Sequence, residues 1–517
     1  MKTKLLSACS SLAALTIVAG ACAPEERLAE RAEAVTEADD VTTKEACPTG
    51  RFRCFAKIQT ETAGGSIKRF AAPSGFGPAE LADAYELDTS VDPGATIAII
   101  DAFGYPNVEA DLAAYRARYG LPPCTVASGC LRIVNQRGTS APLPPPPSND
   151  NDWMTEQAID LDLASAACPK CKLLLVQTEN DHDTGLFEAQ QVAARLGATV
   201  ISNSWGNDET AVDLASTYEH FFAVTPAVGI FASSGDSGYD SNGHGPHYPA
   251  TSAYVTAVGA TTLRRSATDP RGWTEWAWGG WGGHGSGSAC SLSVPKPAWQ
   301  GETACRRRAS ADISAIGDPS TGLAVYTSKQ GGWIVTGGTS AATPFVAGVY
   351  ALTGHGKVAP SFAYDHPGAF FDVTVGANGA CRSVLCKSGP GWDGPTGLGT
   401  PNGSALRAAT CTPSCAGRSC GNDGCGGSCG ACGGASYCSA TGQCVAACVP
   451  SCAGRVCGND GCGGSCGGCG DGKVCDGSGR CVACSPTCDG TRCLGPDGCG
   501  GTCRCRPGTA CAGGVCY

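Results

Sequence analysis

Gly337-Gly338-Thr339-Ser340-Ala341-Ala342-Thr343-Pro344-Phe345-Val346-Ala347-Gly348 is the stretch on which the fold turns. Paired glycines permit a tight turn into a helix, and the small residues that follow let that helix lie close against a sheet. Ser340 stands at the helix start, its hydroxyl available and its backbone N–H directed outward, where a developing oxyanion accepts it. A serine there also simply caps a helix, so the stretch needs partners. Working outward, apolar runs of strand length (Thr96 to Ile100, Lys172 to Val176, Thr199 to Ile201, Gly229 to Phe231) alternate with helical stretches such as Val108 to Tyr119. Such runs between helices predict buried parallel strands in an α/β sheet.

Two further stretches carry acids. Trp153-Met-Thr-Glu156-Gln-Ala-Ile-Asp160-Leu-Asp-Leu reads as a helix capped by Asp150 or Asp152. Glu156 and Asp160 are four apart and share one face, so their like charges disfavour joint ionisation and raise one pKa. A solvated helix face has the same spacing. Phe231-Ala-Ser-Ser-Gly235-Asp236-Ser-Gly238 sets Asp236 between glycines, ordinarily a turn position.

Together these stretches resemble the sedolisins, the serine-carboxyl peptidases of subtilisin-like fold. Ile201-Ser-Asn-Ser-Trp205-Gly206 is similar to the family's substrate-cleft strand, and Tyr248-Pro249-Ala250 through Val258-Gly259-Ala260-Thr261-Thr262 follows in the expected order. The resemblance runs from Gly75 to Ala409. It implies a central parallel sheet flanked by helices, with Ser340 as nucleophile, Glu156 as general base, Asp160 orienting Glu156, and Asp236 in the oxyanion hole. Asp101 matches a position where some relatives extend the carboxylate network, and Trp205 either joins that network or packs. A carboxylate cannot donate to an oxyanion whereas a protonated carboxyl can, so activity at acidic pH is expected. Subtilisins share the nucleophile segment but use a histidine from an H-G-T-H-like stretch, and none of the seven histidines lies in one. His244-Gly-Pro-His247 comes nearest, in the wrong chain order, and His247 reads as a surface or loop-packing residue.

Asp372-Val373 with Gly389-Pro-Gly391-Trp-Asp393 resembles the family's calcium site, which implies one structural calcium held by two carboxylates and loop carbonyls. Cys47 with Cys54, Cys124 with Cys130, Cys168 with Cys171, Cys290 with Cys305 and Cys381 with Cys386 read as short-range bridges.

The chain has 517 residues, 36 of them cysteine and 74 glycine, and a net charge of -10. That length calls for more than one domain, and the charge gives no footing for nucleic acid. Lys2 and Lys4 precede an apolar run from Leu5 to Ala21, a signal-peptide pattern over residues 1–21 that predicts export. Cys22 stands in a loose lipobox, so a secreted protein and an outer-surface lipoprotein are both open. Residues 22–70 read as a mobile linker or short propeptide, brief beside the long folded propeptide sedolisins usually carry, and 71–409 as the peptidase domain. Three repeats follow at 411–444, 448–481 and 484–517, each with eight cysteines and with two aromatics, Tyr437 and Tyr517, among them all. So little apolar matter cannot form a core, so disulfides must hold each repeat; zinc is the competing use of the cysteines. A stalk or surface-attachment role is expected of them. The expected partners are protein or peptide substrates, and the expected state a monomer. Two rival functions stand beside an acid endopeptidase: a neutral Ser-His-Asp protease, and a non-catalytic adhesion or scaffold protein on a peptidase fold.

Overall fold

The structure is a computed structural model describing residues 41–446, except 149, 210–213, 280–283, 302 and 435. Of the later repeats it describes 451–457, 466, 469, 473–476, 478–483, 511–512 and 515–516. The expected signal peptide, Cys22 and most of the third repeat therefore lie outside the described residues. Among the described residues no helix is long and apolar enough to cross a membrane.

The central sheet has eight strands: β1 (Thr96–Ala102), β2 (Leu131–Asn135), β3 (Lys172–Thr178), β4 (Val200–Asn203), β5 (Gly229–Ser233), β6 (Val255–Arg265), β7 (Trp273–Ala277) and β8 (Ile313–Ile316). Their order is β7-β6-β5-β4-β1-β3-β2, with β8 also on β6; all pairs are parallel except β6 with β7. The runs Ile97–Ile100 and Leu173–Val176 are buried throughout, as strands covered on both faces must be. Beside β1 the order reverses, and crevices at such switch points, outside the carboxyl ends of strands, are where α/β sheets bind ligands. Asp101 lies near the end of β1, Ser204 follows β4 and Asp236 lies just past β5, so three polar side chains converge there.

Two helices complete the frame. Helix α1 (Trp153–Ala167) is capped by Asp152, whose Oδ1 accepts from Thr155 N at 3.1 Å, and Met154 alone in it is not buried. Helix α2 (Thr339–Leu352) is buried along its whole length. The two approach closely: a Cβ on Gly348 would stand 2.6 Å from the Cβ of Ala167.

The expected linker divides. Residues 22–40 lie outside the described part, and 41–70 are no mobile linker. Thr43–Glu45 pairs with Lys57–Gln59 as a hairpin, Lys57–Gln59 pairs with Gly332–Gly337 just before α2, and Arg53–Cys54 pairs with Trp205–Asp208. Phe52, Ala56 and Ile58 are wholly or almost wholly buried. The alternation of charged and apolar residues over 51–59 is the pattern of a strand with one covered face.

All five short-range bridges of the peptidase domain form as expected. Repeat 1 joins Cys411–Cys425, Cys415–Cys429, Cys420–Cys438 and Cys432–Cys444, and repeat 2 repeats the last three pairings. Their sulfurs are consumed in bridges, so these cysteines offer no thiolates to zinc. Repeat 1 is anchored to the peptidase domain. Tyr254 donates to the Cys438 carbonyl at 2.6 Å, Asn422 to the Lys357 carbonyl at 2.9 Å, and Ala359 N to Gly424 O at 3.3 Å.

Candidate active site

Gly338 sets the position of Ser340. Its φ of 96° lies in the left-handed region, which turns the strand Gly332–Gly337 sharply into α2 and sets Ser340 in the first helical turn. Ser340 is fully buried. Its Oγ donates to the Ser204 carbonyl at 3.1 Å and accepts the Phe55 N–H at 2.9 Å.

The expected carboxylates meet here. Glu156 and Asp160 project from α1 into the crevice with no solvent exposure, and Asp101 joins them from β1, also fully buried. Neither oxygen of Glu156 or Asp101 has a hydrogen-bond partner, whereas Asp160 Oδ1 accepts from Ser204 Oγ at 2.7 Å. Burial pushes Glu156 well above the ordinary carboxylate range, and the neighbouring Asp101 adds to it; Ser340 draws it part of the way back. Burial, Asp101 and Glu156 raise Asp160 in turn, and burial alone lifts Asp101 to about 8. Three carboxyls so close share protons as one unit, and their titration belongs to the cluster. Asp101 is thus a full member. Trp205 is not: its indole N–H donates to the Ile100 carbonyl at 2.9 Å, and its ring packs edge-on against Phe52 and Phe187.

Asp236 meets helix α2 at the residue before Ser340. Its Oδ1 accepts from Thr339 N at 2.7 Å and Thr339 Oγ1 at 2.9 Å, while Oδ2 has no partner. Burial raises its pKa to about 7, against the pull of Lys57 and Thr339. A Cβ on Gly338 would stand 2.6 Å from Asp236 Oδ2 and 2.0 Å from the carbonyl oxygen of Phe55, so the free carboxyl oxygen and a backbone carbonyl converge on one point. Ser340 N also points to that carbonyl, at 3.4 Å. An oxygen at that point could receive one backbone N–H and, when Asp236 is protonated, one carboxyl hydrogen.

Sequence reading missed two residues of this site. Ser204 ties Asp160 to Ser340, and Thr339 fixes which oxygen of Asp236 stays free. Both lie inside stretches already singled out; a hydroxyl beside a nucleophile or a tryptophan carries no signal until the fold brings its partner near.

His247 is the loop-packing residue of the two alternatives: it is 1% exposed, its Nδ1 lies 3.0 Å from Asp208 Oδ1, and its ring lies 4.7 Å from that of Phe55. His244 is exposed, and neither histidine hydrogen-bonds Ser340.

The expected metal residues also come together. Gly391 N donates to Asp372 Oδ2 at 2.9 Å, Gly389 N to Asp393 Oδ2 at 3.0 Å, and Thr396 N to Asp393 Oδ1 at 2.9 Å. The Val373 carbonyl faces Thr396 Oγ1 at 3.5 Å. Asp393 is fully buried, and burial with the charge of Asp372 lifts it to about 7 against those donors. Two mutually repelling carboxylates beside the Val373 carbonyl offer oxygen ligands of the kind a hard cation takes, and its charge would relieve the repulsion.

Known proteins agree with this geometry. The subtilase family, peptidase S8, matches residues 148–359. Kumamolisin from Bacillus sp. (strain MN-32) is 32% identical over 367 residues, covering 66% of this chain and 64% of that protein. Sedolisin from Pseudomonas sp. (strain 101) is 28% identical over 368 residues, covering 65% and 61%, and bovine (Bos taurus) tripeptidyl-peptidase 1 is 30% identical over 254 residues, covering 41% and 43%. The chain thus spans less than two thirds of the length of each of these relatives. The solved structure of Pseudomonas sedolisin, a serine-carboxyl proteinase complexed with two molecules of pseudo-iodotyrostatin, superposes with a TM-score of 0.55 at 26% identity, covering 65% of this chain and 98% of that one.

Proposed function

We propose that this chain, a member of the sedolisin family by sequence and fold, is an exported serine-type endopeptidase that hydrolyses peptide bonds at acidic pH. The observation that carries the reading is the convergence of a buried serine, a proton-sharing carboxylate cluster and a free carboxyl oxygen at one point of the crevice.

In the proposed reaction Glu156 takes the Ser340 proton as Oγ attacks the substrate carbonyl carbon. Asp160 and Asp101 hold the base in a site where only part of the cluster is ionised. The oxyanion receives hydrogen bonds from Ser340 N and from protonated Asp236 Oδ2. Glu156 then returns the proton to the departing amine, and water hydrolyses the acyl-enzyme by the same relay. Export is supported by the N-terminal pattern and by the dense disulfide framework, which persists outside the reducing cytosol.

Hydrolysis of a denatured protein, followed from about pH 3 to about pH 8, tests this. Activity should be confined to acid and lost in Ser340→Ala and Glu156→Ala. Activity near neutral pH that survives Glu156→Ala sinks the carboxylate mechanism in favour of a histidine base. No activity from folded, matured protein favours the scaffold reading.

Calcium at Asp372 and Asp393, with Val373, Gly389 and Gly391 offering loop carbonyls, is proposed as structural. It would pin the loops beside β8, since Trp392 donates to the Ala311 carbonyl at 3.0 Å. Chelation should lower the melting temperature, and Asp393→Asn should remove that response; a melting temperature indifferent to chelator overturns the assignment.

A further inference from the structure

His247, which the proposed acid chemistry does not use, lies between an aspartate and a serine. Its Nδ1 stands 3.0 Å from Asp208 Oδ1, and its Nε2 stands 3.0 Å from Ser241 Oγ. A carboxylate only accepts, so the neutral ring carries its hydrogen on Nδ1, towards Asp208. Nε2 is then a lone pair, and the Ser241 hydroxyl donates to it. Carboxylate, imidazole and hydroxyl thus stand in the order of a Ser-His-Asp relay, which is recognised by geometry and not by chain order.

Backbone fixes the base and its orienting acid. Asp208 ends the strand Trp205–Asp208 and is the direct antiparallel partner of His247 in the strand His247–Tyr248. The His247 ring also lies on Gly235, where a Cβ would stand 2.0 Å from its Cδ2. Arg53 Nη2 is 3.8 Å from Asp208 Oδ1, and His244 Nδ1 is 4.0 Å from Oδ2. Burial works to raise Asp208, but His247, then Arg53 and His244, outweigh it and hold the carboxyl below its ordinary range. The orienting group therefore stays charged.

Ser241 is placed as a nucleophile is. The strand Ser237–Tyr239 runs directly into the single helical turn Asp240–Gly243. Ser241 there has a φ of 42° and Asp240 before it 53°, left-handed values of the kind that gather at functional sites. A serine on a strained strand-to-helix turn, with a glycine two residues on, is how α/β-hydrolases present their nucleophile. His244 N donates to Ser241 O at 3.3 Å and Gly245 N to Asp240 O at 3.1 Å, which closes the turn. Ser241 is 5% exposed, whereas Gly243 and His244 beside it are open to solvent. So narrow an approach suits a small acyl group and not a polypeptide.

We propose that Ser241, His247 and Asp208 form a second acyl-transfer site, one that takes small activated carboxylic esters. Ser241 Oγ bonds to the acyl carbon as its proton passes to His247 Nε2; the ester C–O bond breaks and the alcohol leaves with that proton. Water then attacks the acyl-serine and gives a proton to His247. The acid is released, and Ser241 takes the proton back. No residue is shared with the reaction proposed at Ser340, and the inference does not rest on it.

The test uses the full chain carrying Ser340→Ala, at neutral pH, with diisopropyl fluorophosphate as the first probe. Here Ser241 Oγ bonds to phosphorus, the P–F bond breaks, fluoride leaves, and the hydroxyl proton passes to His247. Peptide mass mapping should find the diisopropylphosphoryl adduct on Ser241. His247→Gln should slow that labelling by about a hundredfold, and Asp208→Asn by about tenfold or more. The second probe is p-nitrophenyl acetate, from which the chain should release p-nitrophenolate at least about tenfold faster than its Ser241→Ala counterpart. Cooperatively melting protein that takes no label at Ser241 overturns the site, as does labelling at one rate with and without His247. Equal release of p-nitrophenolate overturns the ester assignment. None of these outcomes depends on the acid assay, which reads Ser340 and Glu156.

Discussion

In the proposed reaction the part played by Asp236 comes down to one proton. Its Oδ1 is committed to Thr339, so only Oδ2 can serve the oxyanion, and only while it carries hydrogen. Burial brings that titration to about pH 7. Activity limited by this donor should therefore fall as pH rises through that value. Asp236→Asn should keep the acceptor for Thr339 and supply an amide donor at every pH. The expected outcome is a kcat/KM profile whose alkaline limb moves upward or disappears. An unchanged limb would assign it to another group. Ser204 works one step further out: Ser204→Ala removes the partner of Asp160, and about a tenfold fall in kcat with KM little changed is expected from steady-state kinetics. Asp236 was visible in the sequence as an aspartate between glycines. Which of its oxygens is free was not, because that depends on a threonine 103 residues away.

At the level of elements, the turn between the strand Gly332–Gly337 and α2 decides where Ser340 stands. Any side chain at 338 meets two obstacles, the positive φ and an ideal Cβ position 2.6 Å from Asp236 Oδ2. Gly338→Ala should thus cost more than about 1 kcal/mol in stability and most of the activity, measured by urea unfolding and by the acid assay. The glycine pair and the small residues after it predicted this turn, and the apolar runs predicted the parallel strands. The hairpin Thr43–Gln59 escaped because its strands are short and gain their partners from residues up to 285 positions later. Local pattern has no access to such pairing.

For the whole molecule, the buried carboxyls make stability depend on pH in a defined sense. Asp101 and Asp236 hold protons up to about 8 and about 7 in the folded chain. The unfolded chain releases them near the ordinary value of about 4. Between those values the unfolded state binds fewer protons than the native one, so stability falls as pH rises. The melting temperature should be higher at about pH 4 than at about pH 8, and Asp101→Asn should flatten the difference. A melting temperature rising over that range would contradict the buried-cluster picture. The same fields that tune the site thus favour the folded chain in the acid where the proposed activity lies.

Sequence by itself determined the class of sheet, the turn before Ser340, the helix that carries Glu156 and Asp160, the short-range bridges and the repeats, because each is written in local periodicity, glycine placement or cysteine spacing. It also marked the acids. Only the tertiary structure decided that Asp101 joins Glu156 and Asp160, that Trp205 serves packing, that His247 packs against Phe55, and that residues 43–59 pair with the strands beside Ser340. These outcomes turn on burial and on which distant groups share a crevice. Desolvation and through-space charge, the forces that set them, have no counterpart along the chain.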